Sequence, residues 1–182
     1  MKKDTLVTAA GRNPEANFGV VNPPVYHAST ITFSSLKEFQ TRDQSPYGKI
    51  PQYGRSGTPT QFAFEEAIST LHGGNYTVAY PSGLAALAGA ALSFLESGDH
   101  VLMSDSVYGP SRVRVSGTML ARAGIETSFY DPAIGESIGD LIRPNTKVIF
   151  MESPGSLSFE MMDIPAITAV AREHKIVTMV DN

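Results

Sequence analysis

Short apolar runs alternate with helix-forming segments from residue 58 onward, and this alternation constrains the fold more than any other feature of the sequence. Runs rich in β-branched and aromatic residues predict strands at 76–80, 100–105, 125–130, 148–152 and 176–181. Segments with a helical period predict helices at 58–71, between Ser82 and Gly98, and at 110–123, 138–142 and 164–174. The strand runs are apolar throughout, as a sheet buried on both faces requires. The sequence therefore predicts an α/β fold with a mainly parallel sheet and helices on both faces.

The expected helix ends carry recognisable signals. Thr58-Pro59-Thr60-Gln61 matches a capping box, and Gly73-Gly74 should end that helix. Asp163 should cap the helix that begins at Ile164. In the helix after Ser82, one face is expected to carry the apolar residues Leu84, Leu87, Ala88, Ala91, Leu92 and Leu95.

The first 57 residues have a different character. Prolines at positions 14, 23, 24 and 46 lie among polar and aromatic residues without a sustained helical period. This pattern predicts an extended amino-terminal arm with one short helix near 35–41. We therefore expect two parts, an arm at 1–57 that packs on another subunit and an α/β domain at 58–182.

Composition excludes several classes of function. A net charge of −4 with 14 scattered basic residues provides no basic patch for nucleic acid or an anionic membrane. No signal peptide or membrane-length apolar run is visible, so we expect a cytoplasmic protein that acts on small molecules. The chain has no cysteine, and its four histidines (His27, His72, His100 and His174) lack metal-ligand spacing, so no metal site is predicted.

Ligands of a doubly wound sheet bind at the carboxyl ends of its strands, so the residues after each strand are the first candidates for a site. Ser82-Gly83-Leu84 opens a helix, where free N–H groups and the helix dipole favour an anion such as phosphate. Ser82 alternatively only caps a core helix. The segment matches neither a dinucleotide fingerprint nor a Walker sequence, which disfavours nicotinamide dinucleotides and nucleoside triphosphates.

Three further side chains follow predicted strands. Tyr108 could stack on a planar ligand or only fill surface space, and Glu152 could orient a neighbour or face water. Asp181 ends an apolar strand, where a carboxylate is costly unless it meets a cation or a donor. A phosphate site, a stacking aromatic residue and a strand-end carboxylate are together the parts needed to hold pyridoxal phosphate, whose ring nitrogen stays protonated beside a carboxylate.

The same motifs carry a family resemblance. The segments YGRSGTPTQFAFEEAISTLHGG, YPSGLAAL, SDSVYGP, ESPGSL and VDN occur in the order typical of the Cys/Met-metabolism family of pyridoxal-phosphate enzymes, over residues 20–182. The resemblance implies the large domain of a fold type I pyridoxal-phosphate transferase. Within the family, the segment ESPGSLSFEMMDIPAI resembles the bacterial cystathionine β-lyase branch, because the γ-branch usually has Asn-Pro after this Glu-Ser-Pro.

The resemblance also implies roles for individual residues. Ser82, Gly83 and Leu84 would bind the cofactor phosphate, the latter two through backbone N–H groups. Tyr108 would stack on the pyridine ring and help to move protons, and Asp181 would pair with the ring nitrogen.

Two residues of the arm would serve the site of another chain. By the same resemblance, Tyr53 and Arg55 would reach the phosphate of a neighbouring subunit, with Arg55 as its fixed positive charge. The active site would then be shared between chains. We therefore expect a homodimer or a homotetramer.

The implied reaction is β-elimination of cystathionine to homocysteine, pyruvate and ammonia, in methionine biosynthesis. The alternatives are a cystathionine γ-synthase or γ-lyase, a methionine γ-lyase or a sulfhydrylase of the same family. A non-catalytic cofactor-binding fragment and, less favoured, a sugar aminotransferase are also open.

The lysine that the family uses for its Schiff base has no counterpart. That lysine lies in a Ser-x-x-Thr-Lys segment, and the sequence contains no such segment. The available lysines lie in the terminus and arm or directly before predicted strands: Lys2, Lys3, Lys37, Lys49, Lys147 and Lys175. We expect the chain to be the front part of a longer enzyme and to be inactive as an isolated lyase.

Overall fold

The computed structural model describes residues 2–42 and 48–182. Pro46, one of the prolines behind the arm prediction, lies outside the described residues. The α-helices are α1 (Lys3–Ala9), α2 (Leu36–Thr41), α3 (Pro59–His72), α4 (Gly83–Leu92) and α5 (Ile164–Glu173). The strands are β1 (His100–Ser104), β2 (Glu126–Tyr130), β3 (Thr146–Glu152) and β4 (Val177–Asp181). Three 3₁₀ helices span Glu15–Asn17, Gly54–Ser56 and Gly135–Leu141, and a π-helix spans Ser111–Leu120.

The chain divides into two compact units, Met1–Ala79 and Tyr80–Asn182. The first contains α1 to α3, and the second contains all four strands with α4, the π-helix and α5. The arm and α/β domain that we predict, with their boundary between residues 57 and 58, stay a prediction.

The four strands form one parallel sheet in the order β2-β1-β3-β4. Alternate residues of these strands enter two separate cores, because successive side chains of a strand point to opposite faces. One core joins α4 and the π-helix to residues such as Met103, Phe150 and Met179. The other joins α5 and the 3₁₀ helix Gly135–Leu141 to residues such as Leu102 and Ile149. The predicted parallel α/β sheet with helices on both faces is confirmed.

Two predicted helix ends are present as expected, and the short helix expected near 35–41 is α2, which Ser35 caps. Asp163 caps α5 by accepting the N–H of Ala166 at 3.1 Å. Helix α3 ends at Gly73, which adopts the left-handed conformation that glycine tolerates best (φ 68°).

The prediction of a capping box at Thr58 is wrong, because the Thr58 side chain makes no capping hydrogen bond. The Gln61 amide donates forward to Glu65 at 2.9 Å instead of returning to Thr58. The hydroxyl of Thr60 donates to the Pro24 carbonyl at 2.7 Å. The polar side chains of this turn thus form contacts within the first unit in place of a local cap.

The predicted strand at 76–80 is also wrong, since this segment has no regular secondary structure. A strand requires the backbone of a neighbouring strand, and none pairs with it in the described chain. Side chains of α3 hold the segment instead. Glu65 accepts the N–H of Ala79 at 3.2 Å, and the hydroxyls of Ser69 and Thr77 are 2.7 Å apart.

Helix α4 is shorter than its apolar pattern predicts. It ends at Leu92, and the next residue, Ser93, bonds back to the Gly89 carbonyl through its hydroxyl at 2.7 Å. Leu92 is 41% exposed, whereas Leu95 enters the core from the loop after the helix. The predicted apolar face is therefore correct for Ala88 and Ala91 but wrong for Leu92.

The amino-terminal arm is less extended than predicted. Besides the expected α2, it contains α1, which packs against α3. A Cβ on Gly11, just after α1, would lie 2.2 Å from the Ala63 carbonyl oxygen of α3. Helix α1 has only seven residues, a length that would be marginal for an isolated helix, and it forms in contact with α3.

Within residues 2–42 and 48–182, no helix is long and apolar enough to cross a bilayer, and no group of three potential metal ligands occurs.

Candidate active site

The carboxyl edge of the parallel sheet brings two acidic side chains together. Glu152 ends β3 and is the register partner of Asp181, which ends β4. Phe150 and Met179 lie two residues before them and point into the core shared with α4 and the π-helix. Because side chains alternate along a strand, Glu152 and Asp181 point to this same face. The sheet therefore places a carboxylate pair beside the helices that follow residues 82 and 110.

The amino end of α4 lies on the same face. Helix α4 packs on this core and leads through a short loop to the start of β1, so its first turn points toward the carboxyl edge. The Ser82 hydroxyl caps the helix by accepting the N–H of Ala85 at 3.2 Å. The N–H groups of Gly83 and Leu84 have no acceptor among the described residues. Apart from the chain neighbours and the helix's own backbone, no atom of the described residues lies within 4 Å of the position that a Gly83 Cβ would occupy. This first turn is thus open to an anion.

Gly89 shows a different use of the small residues in α4. A Cβ at this position would lie 2.7 Å from the Tyr80 ring. Glycine here lets Tyr80 fold onto the helix. Ala88 and Ala91, which are buried, provide the close packing against the core.

Tyr108 lies between β1 and the π-helix. Tyr108 as a whole residue is 47% exposed, while the preceding Val107 is buried in the core. The phenol has no hydrogen bond within the described chain. The side chain is thus accessible and has no hydrogen-bond partner in the part of the chain that the structure describes.

Glu152 is the residue that the sequence left undecided between orienting a neighbour and facing water. Only 8% of Glu152 is exposed, and its Oε2 accepts the backbone N–H of Tyr108 at 2.7 Å. Burial raises the pKa of the Glu152 carboxyl, the hydrogen bond from Tyr108 lowers it, and the negative charge of Asp181 raises it. Glu152 is therefore buried and bonded to a neighbouring loop instead of facing water. A strand-end carboxylate in an apolar run is a signal, but only the fold shows which residue it contacts.

A tight contact joins the loops after β1 and β3. The Ser156 N–H donates to the Ser106 carbonyl at 2.8 Å, and the Ser106 hydroxyl is 2.9 Å from that of Ser104. A Cβ on Gly155 would lie 2.7 Å from the Ser106 Cβ. Glycine at 155 is thus required by close packing, which gives a physical reason for the Pro-Gly-Ser sequence after Glu152.

Tyr53 and Arg55 lie in the first unit. The Tyr53 backbone bridges to Thr30, and the Arg55 guanidinium carbon is 5.6 Å from the centroid of the Tyr53 ring. Arg55 is exposed and has no ion pair with a carboxylate in the described residues. Its charge is thus available to an anion.

Comparison with known proteins identifies relatives of this chain. The model of the family described as Cys/Met metabolism PLP-dependent enzyme matches residues 4–182. Cystathionine beta-lyase MetC of Escherichia coli is 41% identical over 100% of this chain and 46% of its own length. The L-alanine/L-glutamate racemase of Wolbachia pipientis is 40% identical over 100% of this chain and 47% of its own length. The crystal structure of cystathionine gamma-lyase from Lactobacillus plantarum, complexed with L-serine, superimposes with a TM-score of 0.87 at 28% identity, covering all of this chain and 45% of that one.

The fold and the matches define a class, the pyridoxal-phosphate-dependent enzymes with an open parallel α/β sheet. Within that class, the chain belongs to the Cys/Met metabolism family of pyridoxal-phosphate-dependent enzymes. It spans about half the length of the curated relatives that it matches.

The residues present fit this cofactor on two counts. The free N–H groups at Gly83 and Leu84 suit a phosphate. Asp181, which is half-buried and receives no cation or donor from the described residues, suits a protonated ring nitrogen.

Proposed function

We propose that the full-length protein is a pyridoxal-phosphate-dependent carbon–sulfur lyase that acts in methionine biosynthesis. It would cleave cystathionine by β-elimination, with water, to homocysteine, pyruvate and ammonia. Membership in the family and 41% identity to a cystathionine β-lyase support this reaction. The observation that carries the proposal is the placement of Asp181 and the open first turn of α4 on one face of one sheet edge. The cytoplasm stays the predicted compartment.

The amino end of α4 would bind the cofactor phosphate. The N–H groups of Gly83 and Leu84 would donate to phosphate oxygens, and the helix dipole would add a favourable field. Ser82 keeps this turn in shape through its bond to Ala85. The lack of atoms around the Gly83 α-carbon allows close approach of the backbone to the anion.

Asp181 would hold the positive charge at the other end of the cofactor. Its backbone is fixed in β4, and its carbonyl accepts the N–H of Ser153 at 3.3 Å. A carboxylate fixed in this way keeps the pyridine nitrogen protonated. When bound, pyridoxal phosphate supplies an electron sink for the pair that is released at the substrate Cα.

Tyr108 would cover one face of the cofactor ring. Its exposed phenol has no hydrogen-bond partner in the described chain that would hold it away from the cofactor. The hydroxyl is therefore free to exchange a proton near the substrate. Tyr108 is therefore the proposed catalytic residue of this chain.

Tyr53 and Arg55 would complete the site of a neighbouring subunit. The cofactor phosphate needs a fixed positive charge, and Arg55 is exposed without a carboxylate partner among the described residues. A shared site of this kind requires a homodimer or a homotetramer.

The Schiff-base lysine is proposed to lie outside these 182 residues. The second unit has two lysines, Lys147 and Lys175, and both lie at the amino ends of β3 and β4, opposite the site. The relatives are about twice as long as this chain. We therefore expect no lyase activity from residues 1–182 alone.

A racemase is the second candidate, because a racemase relative is nearly as similar as the lyase relative. Both reactions begin with removal of the Cα proton from a cofactor-bound amino acid, and the visible residues suit either one. A γ-lyase is a further alternative, supported by the structural match to a cystathionine γ-lyase. Product analysis separates the three, because only β-elimination of cystathionine gives pyruvate together with homocysteine.

The test uses the full-length protein made from its native gene. It is saturated with pyridoxal phosphate, reduced with borohydride, and digested to locate the modified peptide by mass spectrometry. In parallel, the unreduced protein is given cystathionine, L-alanine and L-glutamate, and pyruvate, homocysteine and D-amino acids are measured. We expect a cofactor adduct on a lysine outside these residues and release of pyruvate with homocysteine. Racemisation without pyruvate release would overturn the lyase proposal.

A matched pair of variants tests the site itself. Asp181→Asn should weaken pyridoxal phosphate binding about ten-fold or more, because the charged partner of the ring nitrogen is lost. Asp140→Asn, which changes an exposed aspartate in the 3₁₀ helix Gly135–Leu141, should stay within about two-fold of the wild type. Equal affinity of the two variants would exclude Asp181 as the ring-nitrogen partner.

A further inference from the structure

Glu152 is the most deeply buried carboxyl group at the carboxyl edge of the sheet. It is 8% exposed, and its neighbour across the β3–β4 ladder is the acidic Asp181. Burial and a like charge both act against an ionised carboxyl, so this position is costly for a glutamate. An apolar residue of similar volume would fill the space without that cost. The presence of glutamate at this position therefore calls for a compensating interaction.

The one hydrogen bond that the structure shows for Glu152 suggests the role. Its Oε2 accepts the N–H of Tyr108 at 2.7 Å, across 44 positions of sequence. This distance is typical of a bond to a charged acceptor. The bond fixes the end of β3 to the segment that leads from β1 into the π-helix.

Packing alone does not determine where the Tyr108 ring lies. Tyr108 is 47% exposed, and its hydroxyl has no hydrogen-bond partner within the described chain. The backbone is restrained on either side, by the burial of Val107 and by the bond from the Arg112 N–H to the Tyr108 carbonyl at 3.1 Å. The Glu152 bond restrains the N–H of Tyr108 itself, between these two.

We propose that Glu152 is a positioning residue: seated beside Asp181, its carboxyl holds the Tyr108 backbone and so fixes the phenol ring against the cofactor. Asp181 and Tyr108 would hold the cofactor, and Glu152 is the strand neighbour of the first and the hydrogen-bond acceptor of the second. This inference rests on the proposed function, because it assigns Glu152 to the same cofactor site.

The competing interpretation is that Glu152 only satisfies a buried N–H group and stabilises the fold. The two interpretations differ when the Tyr108 side chain is absent. The N–H of residue 108 remains when Tyr108 is replaced by alanine, so a purely structural role of Glu152 would persist. A positioning role would disappear, because no ring is left to position. A double-mutant cycle separates them.

The experiment uses the full-length protein with pyridoxal phosphate as the probe. Affinity is measured from cofactor absorbance and fluorescence, and thermal unfolding of the cofactor-free protein is followed in parallel. The variants are Glu152→Gln, Glu152→Asp, Glu152→Ala and Tyr108→Ala, with Glu152→Ala also made in the Tyr108→Ala background. Glu173→Gln, at the exposed end of α5, is the matched control.

Glu152→Gln keeps an acceptor oxygen at the same reach, so its affinity should stay within about three-fold of the wild type. Glu152→Ala loses the acceptor, and Glu152→Asp has a side chain too short to reach the Tyr108 N–H. Each should weaken cofactor binding about ten-fold. If the alanine variant does not fold, the aspartate variant provides the same comparison. In the Tyr108→Ala background, the effect of Glu152→Ala on affinity should fall below about two-fold.

Each outcome has one meaning. An undiminished Glu152→Ala effect in the Tyr108→Ala background would overturn the positioning role, as would wild-type cofactor affinity in both Glu152→Ala and Glu152→Asp. A ten-fold loss of cofactor affinity in Glu152→Gln would overturn it too, because this variant keeps the acceptor oxygen on which the proposal depends. If the wild-type protein itself does not bind pyridoxal phosphate, the proposed function fails as well. That failure is visible in the wild type alone, without the double-mutant cycle.

Discussion

Replacing Gly155 by alanine should loosen the junction between the loops that follow β1 and β3. A Cβ at residue 155 would lie 2.7 Å from the Ser106 Cβ and 2.9 Å from both the Ser106 Oγ and the Glu160 Oε2. The two oxygens belong to side chains that can rotate away. The Ser106 Cβ is fixed to the backbone and cannot, so relief of this contact requires a shift of roughly 0.8 Å to reach a normal carbon–carbon separation.

That shift strains the bond from the Ser156 N–H to the Ser106 carbonyl. Overpacking of this kind costs about 1–3 kcal/mol. We expect Gly155→Ala to lower the free energy of unfolding of the full-length protein by this amount, measured by urea denaturation. Gly109→Ala is the matched control, since a Cβ at Gly109 would meet no described residue within 4 Å other than its chain neighbours.

A second substitution tests whether the Ser106 Cβ is the cause. Ser106→Gly removes both Ser106 atoms that the new methyl group at position 155 would meet, so it should restore part of the lost stability when combined with Gly155→Ala. Ser106→Gly alone should destabilise, because it removes the hydroxyl that bonds to Ser104. Purely additive effects of the two substitutions, or a Gly155→Ala variant as stable as the Gly109→Ala control, would refute the steric argument.

Two further predictions concern a helix cap and pH. Asp163→Ala should destabilise the protein by about 1 kcal/mol, because the Asp163 carboxylate caps α5 through the Ala166 N–H. Thr58→Ala should be nearly neutral, because Thr58 makes no capping bond. Equal unfolding midpoints of the two variants would contradict this interpretation. The hydrogen bond from Arg143 and then its charge hold the pKa of Glu126 below its usual range. A lowered carboxyl pKa contributes stability that is present above the unfolded pKa and is lost as pH falls through the folded pKa. Unfolding midpoints measured from pH 7 down to pH 3 should therefore decline less in Arg143→Ala than in the wild type, and parallel declines would exclude a contribution from this pair.

The sequence was a good guide where local pattern and burial agree. β1 and β3 are mainly apolar runs that are almost wholly buried, and a sheet covered on both faces is the arrangement that buries such runs. Asp163 before Ile164-Pro165 is a signal contained within one turn, and it proved correct. Strand positions and this helix end were predictable because their causes lie within a few residues.

Predictions were wrong where a distant partner decides. Residues 76–80 have strand composition but no paired strand in the described chain, and contacts with α3 hold them instead. Thr58 matches a capping box but makes no capping bond, and the nearby Thr60 hydroxyl bonds instead to the Pro24 carbonyl, 36 positions away. Helix α1 had no sequence signal strong enough to predict it, and it packs against α3.

The sequence by itself determined which residues end strands and open helices, and hence that Ser82, Gly83, Tyr108, Glu152 and Asp181 were the positions to consider. The tertiary structure decided how they meet. The strand order β2-β1-β3-β4 makes Glu152 and Asp181 neighbours, and the packing of α4 and the π-helix on one face brings the Tyr108 N–H to the Glu152 carboxyl. The physical reason is the sequence distance over which each interaction acts. Strand and helix signals are local along the chain, whereas these contacts join residues 29 and 44 positions apart. Only the folded sheet sets their pairing.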